Sequence, residues 1–404
     1  MLKICYTGRI THILRSCAPS IALDFCRSFN SLRTEFFADL LDVEPGMLKS
    51  HLFSSANLGG IGFTKSSILC QSAFLGGGKN FIYEFSRRFP DDSHLLVPNC
   101  SPYFFAVKSF NKNCQRFLKA WILMLDLAKK KNPTFANLLQ DMCDSTSSAL
   151  VTTIPQVYGT LLSDSAWTLN MRFRSFIWPD NLPHNLICKC SREITTTHLL
   201  NCKHFITLRS KVHDAVRDQL YCMCKSHRIE SFLEPLLSNL FDAENDFHKN
   251  NRGDVILPGL DGSFILLDVM SVDPCNASNE RLVNSEIHNP LSNAENFKFK
   301  KYNEPLSKLA SLQHAKYNLY PFVFSLFGSL APTALRFLDD FEMIVKRRTG
   351  RNFNRLFWQN RIVFSIFKEM LKMVSDALLS LGSHYERVAS SVFVLGELDF
   401  LDVD

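Results

Sequence analysis

The stretch NRGDVILPGLDGSFILLDVMSVDP, Asn251 to Pro274, decides how this chain is read. Asp254-Val255-Ile256-Leu257 and Phe264 to Met270 are short runs rich in β-branched and aromatic residues. Between them, Pro258-Gly259-Leu260-Asp261-Gly262 carries Asp-Gly turn chemistry, so the pattern predicts a β-hairpin. The second run is apolar almost throughout, as a central strand covered on both faces is. Two carboxylates interrupt the hairpin, Asp254 at the start of its first strand and Asp268 near the middle of its second. A buried ionised carboxylate is costly without a cationic partner, so two on neighbouring strands suggest a shared divalent metal. Oxygen ligands suit magnesium or manganese, and such an ion generates hydroxide and stabilises a phosphodiester transition state. The plainer alternative is that Asp254 caps the hairpin and Asp268 pairs with a lysine.

The rest of the chain supplies the context. Its 404 residues, 46% hydrophobic, suffice for two or three domains with a substantial core and exclude a disordered chain. Lys plus Arg number 45 against 39 acids, a net charge of +6 that is compatible with a polyanionic partner. Thirteen cysteines without a regular framework point to a reducing compartment and to local metal sites rather than disulfides. The N-terminal stretch to Ser20 is basic and has no acid before Asp24, a composition shared with mitochondrial presequences. It reads rather as the interior of a larger ancestral protein. The most apolar later segment, Ile362 to Phe367, is bounded by Arg361 and Lys368, so no membrane span is expected and the chain reads as soluble.

Residues 1 to about 150 read as mainly helical, with Phe-rich amphipathic segments at Ser28–Leu41 and Phe117–Lys129. Gly76-Gly77-Gly78-Lys79 is not a phosphate loop, because Asn80 stands where Ser or Thr belongs; the glycines are expected to stop a helix. Thr152 to Asn185 reads as a helix running into an extended connector. It leads to Cys188, Cys190, His198 and Cys202, spaced as C-x-C, seven residues, H, three residues, C. Zinc takes four N/S ligands in a tetrahedron and supplies the folding energy that so small a module lacks. His204, Cys222 or Cys224 are alternative ligands in an irregular site.

Lys203 to His227 is a helix candidate whose charged positions include Lys211, His213, Arg217 and Asp218. Lys298, Lys300, Lys301 and Tyr302 follow the hairpin, and Tyr320–Leu326 reads as another buried strand. Two helices are expected to close the chain, about Pro332–Arg348 and about Asn354–Leu381, the second capped by Gly382. Between them Lys346, Arg347, Arg348, Arg351, Arg355 and Arg361 form an acid-free basic stretch with Phe353, Phe357 and Trp358. Such a stretch binds phosphates and stacks on bases, although Phe357 and Trp358 are expected in the core. Arg252-Gly253-Asp254 spells an adhesion tripeptide by chance.

Laid out this way, the chain resembles the C-terminal part of a non-LTR retrotransposon protein of the group with a restriction-like endonuclease. Cys188, Cys190, His198 and Cys202 resemble its CCHC zinc knuckle, and Lys211 to Asp218 its basic helix entering the nuclease. Asp254, thirteen residues, Asp268 resembles its paired acids, and Leu58 to Gly62 the turn after the polymerase palm. The resemblance implies a PD-D/ExK nuclease fold: a mixed sheet with flanking helices over residues 205–404, a knuckle over 181–204, and an α-helical post-polymerase connector over 1–180. It implies a magnesium- or manganese-dependent DNA endonuclease that nicks a target site in the nucleus, holds structural zinc, and binds DNA and element RNA. DNA contacts would come from Lys211, Arg217, Lys346, Arg347, Arg348, Arg351 and Arg355. Gly253 replaces the usual proline and Met270 the usual lysine; the catalytic lysine of this group lies downstream, which leaves Lys298 or Lys301, beside Tyr302. No Y/F-x-D-D polymerase motif is present, so reverse transcription is excluded for this chain. The alternatives are a catalytically inactive nucleic-acid-binding relic of the same element and a structural interaction protein.

Overall fold

The computed structural model describes residues 19–41, 43–53, 60–63, 133–153, 160–174, 187–193, 196–235, 253–274, 290–313 and 316–379, with scattered positions before 90. The expected helix at 117–129, the Gly76–Lys79 turn, the connector around Trp178 and the Gly382 cap lie outside these residues. Packing divides the chain into two units, Met1–Lys131 and Asn132–Asp404.

In the first unit, α1 (Pro19–Leu41) packs on α2 (Pro45–Phe53). The α1 residues Ala22 and Cys26 bury against Ile10, Leu14, Cys70 and Ala73. The Arg33 guanidinium lies over the rings of Phe29, Phe53 and Phe63 at 5.0, 5.2 and 5.5 Å, which offsets part of the cost of burying it.

The second unit opens with α3 (Pro133–Met142), α4 (Asp164–Arg174), α5 (Thr196–Asn201) and α6 (Ile206–Ser226), then a short strand, β1 (Phe232–Leu233). The expected hairpin follows. Strand β2 (Val255–Pro258) runs antiparallel to β3 (Phe264–Val272), with Val255 opposite Leu267 and Pro258 opposite Phe264. The Gly259 N–H donates to the Ser263 carbonyl at 2.7 Å, and Gly262 takes a left-handed φ of 75°. A side chain on Gly259 would meet Ser263 Oγ at 2.3 Å, so the turn needs glycine there. Helix α7 (Pro290–Gln313) then crosses over to β4 (Tyr317–Ser325), which lies parallel to β3, and parallel neighbours need such a crossover. Strand β4 begins three residues before the expected Tyr320, because Tyr317 stacks on Phe264 across the ladder. With β1 at one edge, the four strands form a mixed sheet in the order β1-β2-β3-β4. Helices α8 (Pro332–Thr349) and α9 (Arg355–Leu379) complete the unit.

Alternation along β3 assigns the two faces of the sheet. Leu266 and Val272 point to α7, packing on Tyr302 and Leu306 and on Leu291 and Ala294. On the other face Phe322 of β4 meets Phe337 of α8, and Arg209 of α6 bonds Ser271 at 3.0 Å. Helix α9 lies along α6 and also touches α4. Phe322, Phe324, Phe337 and Phe341 are fully buried, and each contributes about 1.5–3 kcal/mol of transfer free energy. Gly350, at a left-handed φ of 67°, stops α8, and Lys346, Arg347 and Arg348 in its last turn suit the negative end of the helix dipole. No described helix is long and apolar enough to cross a membrane.

Candidate metal centre and acidic site

The Cys/His cluster is assembled from two local devices. Ile187 and Glu193 form an isolated antiparallel bridge, and Cys188 N–H donates to the Arg192 carbonyl at 2.8 Å, closing a tight turn that carries Cys188 and Cys190. Ser191 takes a φ of 66° to make that turn possible. Helix α5 then presents His198, and Cys202, just past its end, donates its N–H to the His198 carbonyl at 2.8 Å and so lies one turn on, on the same side. Cys188 Sγ lies 3.7 Å from Cys202 Sγ, Cys202 Sγ 3.8 Å from Cys190 Sγ, and Cys190 Sγ 3.3 Å from His198 Nε2.

Two sulfurs on one zinc ion at about 2.3 Å and tetrahedral angles stand about 3.8 Å apart, which these separations match. All four ligand atoms lie within 4.8 Å of one another without His204, Cys222 or Cys224. Burial, opposed by the His204 backbone N–H and reinforced by the two neighbouring thiols, pushes the Cys202 thiol up to about 11. Burial first, then the charge of Arg192, holds His198 below the ordinary histidine range, so the ring is neutral, as a ligand must be. The Cys3His group can hold a metal such as zinc. The module is tied to the sheet, since Asn201 of α5 donates to Asp273, just past the end of β3.

The acidic pair sits where the hairpin opens. Asp254 precedes β2 by one residue, just beyond the Val255–Leu267 pair that ends the ladder with β3. Its N–H donates to the Leu267 carbonyl at 3.2 Å, and its Oδ2 accepts the Val269 N–H at 2.6 Å, extending the ladder with a side chain. Asp268 is 4% exposed, and its two oxygens are held by one helix. Tyr302 of α7 donates to Oδ1 at 2.9 Å, and the Lys298 ammonium, one turn earlier on α7, lies against Oδ2. Lys301 Nζ stands 3.4 Å from the Tyr302 hydroxyl and over its ring, so both lysines named from the sequence border the site. Burial, then the Asp268 charge, pushes the Tyr302 phenol well above its ordinary range, and Asp254 adds to the effect.

His213 belongs to this site, and the sequence shows it only as part of a charged helix face. Its Nε2 lies 3.5 Å from Asp254 Oδ1, and its Nδ1 3.2 Å from Asp214 Oδ1. Burial pushes the ring down, but the two carboxylates outweigh it and hold His213 above the ordinary histidine range. Nothing local distinguishes His213 from its neighbours on α6; only the tertiary approach of Asp254 does. A cleft of about 600 Å³ lies elsewhere, lined by Asp141, Ser329 and Arg336 among others.

The basic residues separate into two groups. Lys211 pairs with Asp376 at 2.8 Å, Arg217 with Asp214, Asp218 and Glu234, and Arg355 with Asp339 at 2.5 Å, while Arg348 donates to the Gly259 carbonyl at the hairpin turn. Lys346, Arg347 and Arg351 are exposed and have no acidic partner among the described residues. Phe353 is buried, and both it and Trp358 pack edge-on against His227 at 5.3 and 5.8 Å, so neither ring offers a face to a base. No protein-family model and no curated protein matches this chain.

Proposed function

We propose that residues 205–404 form a restriction-like, metal-dependent DNA endonuclease domain, preceded by a zinc knuckle over 181–204 and a connector, in a protein derived from a retrotransposon. The observation that carries this reading is the encirclement of Asp268. Lys298 and Tyr302, both singled out from the sequence, take one oxygen each of Asp268, and Asp254 accepts the N–H of the next residue of that strand, Val269. A buried aspartate that needed only neutralisation would require one cation; a lysine, a tyrosine and a second acid around it form the donor set of a phosphodiesterase.

A magnesium or manganese ion between Asp254 and Asp268 would lower the pKa of a bound water and offset charge on the scissile phosphate. Asp254 is fixed for that task by the Val269 N–H, and Asp268 by the Tyr302 hydroxyl. Lys298, mostly shielded from solvent, would donate to a phosphate oxygen or orient the attacking water. Lys346, Arg347 and Arg351 would contact the DNA backbone, and the knuckle would add grip on DNA or element RNA; the expected compartment is the nucleus.

One feature favours the second reading, an inactive nucleic-acid-binding relic: the Lys298 ammonium already neutralises Asp268 Oδ2. Nicking of supercoiled plasmid with manganese separates the two. Catalysis predicts nicking by the wild type and none by Asp268→Ala at unchanged or slightly tighter DNA affinity. Equal nicking by both would remove the catalytic reading, and DNA binding without nicking by the wild type would leave the relic.

A further inference from the structure

We propose that the cleft of about 600 Å³ beside Asp141 binds a small organic cation, an alkylammonium or alkylguanidinium whose charged head meets the Asp141 carboxylate. This site is separate from the pair Asp254 and Asp268 and does not depend on the endonuclease reading. The cleft opens past the carboxyl ends of two parallel strands: Pro274 follows β3, and Ser329 and Leu330 follow β4. Crevices at such ends are where open α/β sheets take their ligands. The volume lies within the range of about 300–1,000 Å³ usual for small-molecule sites.

Asp141, in the last turn of α3, lines the cleft and is 9% exposed. Ser325 Oγ donates to its Oδ2, and Ser329 Oγ donates to its main-chain carbonyl at 2.7 Å. Neither partner is a cation, and no lysine, arginine or histidine among the described residues makes an ion pair with the carboxylate. Arg174 of α4 feels its charge, but that guanidinium bonds the Ser147 carbonyl at 3.3 Å. Burial first, opposed by Ser325 and Ser329 and reinforced by the charges of Asp144 and Asp273, pushes the carboxyl up to about 7. The last turn of α3 has no basic residue, so the negative end of its dipole adds to that field. A buried carboxylate so placed is costly until a cation joins it.

The rest of the lining says which cation. Pro290, Leu291, Leu330, Pro332 and Leu335 give apolar walls that suit an alkyl stem. A metal ion is a poorer fit, because the group of ligand atoms that converges among the described residues is the Cys188 cluster. An anion is a poorer fit too, since nearby positive groups are already answered. Glu295 Oε1 accepts the Thr333 N–H at the start of α8 at 2.7 Å, and Arg355 pairs with Asp339. Arg336 is exposed at the rim, whereas Asp141 and Ser329 are buried.

The test titrates n-butylguanidinium and n-butylammonium chloride into the full, zinc-loaded chain by isothermal calorimetry at pH 8, with n-butylurea as the uncharged isostere. Saturable one-to-one binding of at least one cation is expected, and n-butylurea should bind at least about tenfold more weakly. Binding needs the ionised carboxylate, so affinity should fall about tenfold from pH 8 to pH 6 as Asp141 takes up its proton. The other groups around it, Asp144, Asp273, Arg174 and Cys143, include no histidine that would titrate in that window. Asp141→Asn should weaken binding at pH 8 by about tenfold or more and remove the pH dependence. Leu335→Trp, which fills the cleft from one wall and leaves the carboxylate in place, should abolish it. Absence of saturable binding of either cation by the wild type, a result that needs no variant to fold, overturns the proposal. Equal binding of n-butylurea, unchanged affinity in Asp141→Asn, or binding retained in Leu335→Trp overturns it as well.

Discussion

Exchange of one thiol in the knuckle for a hydroxyl, Cys202→Ser, perturbs the site whose geometry is most completely defined. In a regular tetrahedron the edge is about 1.63 times the centre-to-corner distance, so a ligand edge converts directly into a bond length. The sulfur separations of 3.7 and 3.8 Å would put an ion at the centre of the cluster about 2.3 Å from Cys188, Cys190 and Cys202. Zinc K-edge absorption on the purified chain is therefore expected to give three sulfurs at about 2.3 Å and one nitrogen at about 2.0 Å, with one zinc per chain. The module has one isolated bridge and a six-residue helix of its own, so a bound metal would supply most of its folding energy. Structural zinc in comparable peptides contributes about 10–16 kcal/mol. Cys202→Ser should thus lose most of the zinc and the hydrogen-exchange protection of α5, while the β2–β3 ladder stays protected. A shell of light atoms alone, zinc well below one per chain, or an unchanged sulfur shell in Cys202→Ser would refute the reasoning.

Three further outcomes follow from residues outside the knuckle. Tyr302→Phe removes a buried donor from a carboxylate, and a urea titration should show about 1.5–3 kcal/mol of lost stability; no change would mean that the hydroxyl does not hold Asp268. Asp141 accepts from Ser325 Oγ in the interior, and burial, opposed by Ser325 and Ser329, pushes it up to about 7. Since this lies above the unfolded value of about 3.9, its contribution is complete below about pH 4 and is lost as pH rises through 7; the distance between the two values sets an upper bound of about 4 kcal/mol. Asp141→Asn should flatten that decline between about pH 4 and pH 7, read from urea midpoints, and a decline of the same slope would exclude Asp141 as its source. Replacing Lys346, Arg347 and Arg351 together by alanine should lower the slope of log affinity for DNA against log salt by about 0.9 for each phosphate no longer neutralised, whereas Lys211→Ala, which breaks an ion pair with Asp376, should change it less.

The sheet was legible because its signals are local. Two apolar runs around an Asp-Gly turn specify a hairpin, and a third run stopped at Gly328 specifies β4. The crossover helix was not read from the sequence, although parallel strands need one; it carries Lys298 and Tyr302 to Asp268 because positions four apart share a helix face. The C-x-C and H-x-x-x-C spacings were legible for the same reason, each being set by one turn or one helix. What was not legible depends on tertiary approach. Strand β1 is two residues long, with both side chains exposed, and exists only as a partner for β2. His213 sits among charged residues of α6, and its contact with Asp254 depends on a hairpin far along the chain. The basic stretch misled in part: charge density is visible in sequence, but the acids that consume Lys211, Arg217 and Arg355 are contributed by other segments or turns. Phe353 reads as a stacking residue beside arginines, yet the apolar environment of His227 and Phe341 buries it.

The central claim is that Asp254 and Asp268 act as one unit in cutting DNA. Single-turnover nicking of supercoiled plasmid in manganese, by the wild type, Asp254→Asn, Asp268→Asn and the double variant, tests it most directly. Residues that act as a unit are strongly non-additive, so each single change is expected to lower the nicking rate about as far as the double change does. A rate retained in either single variant, or losses that simply multiply in the double variant, would contradict the claim.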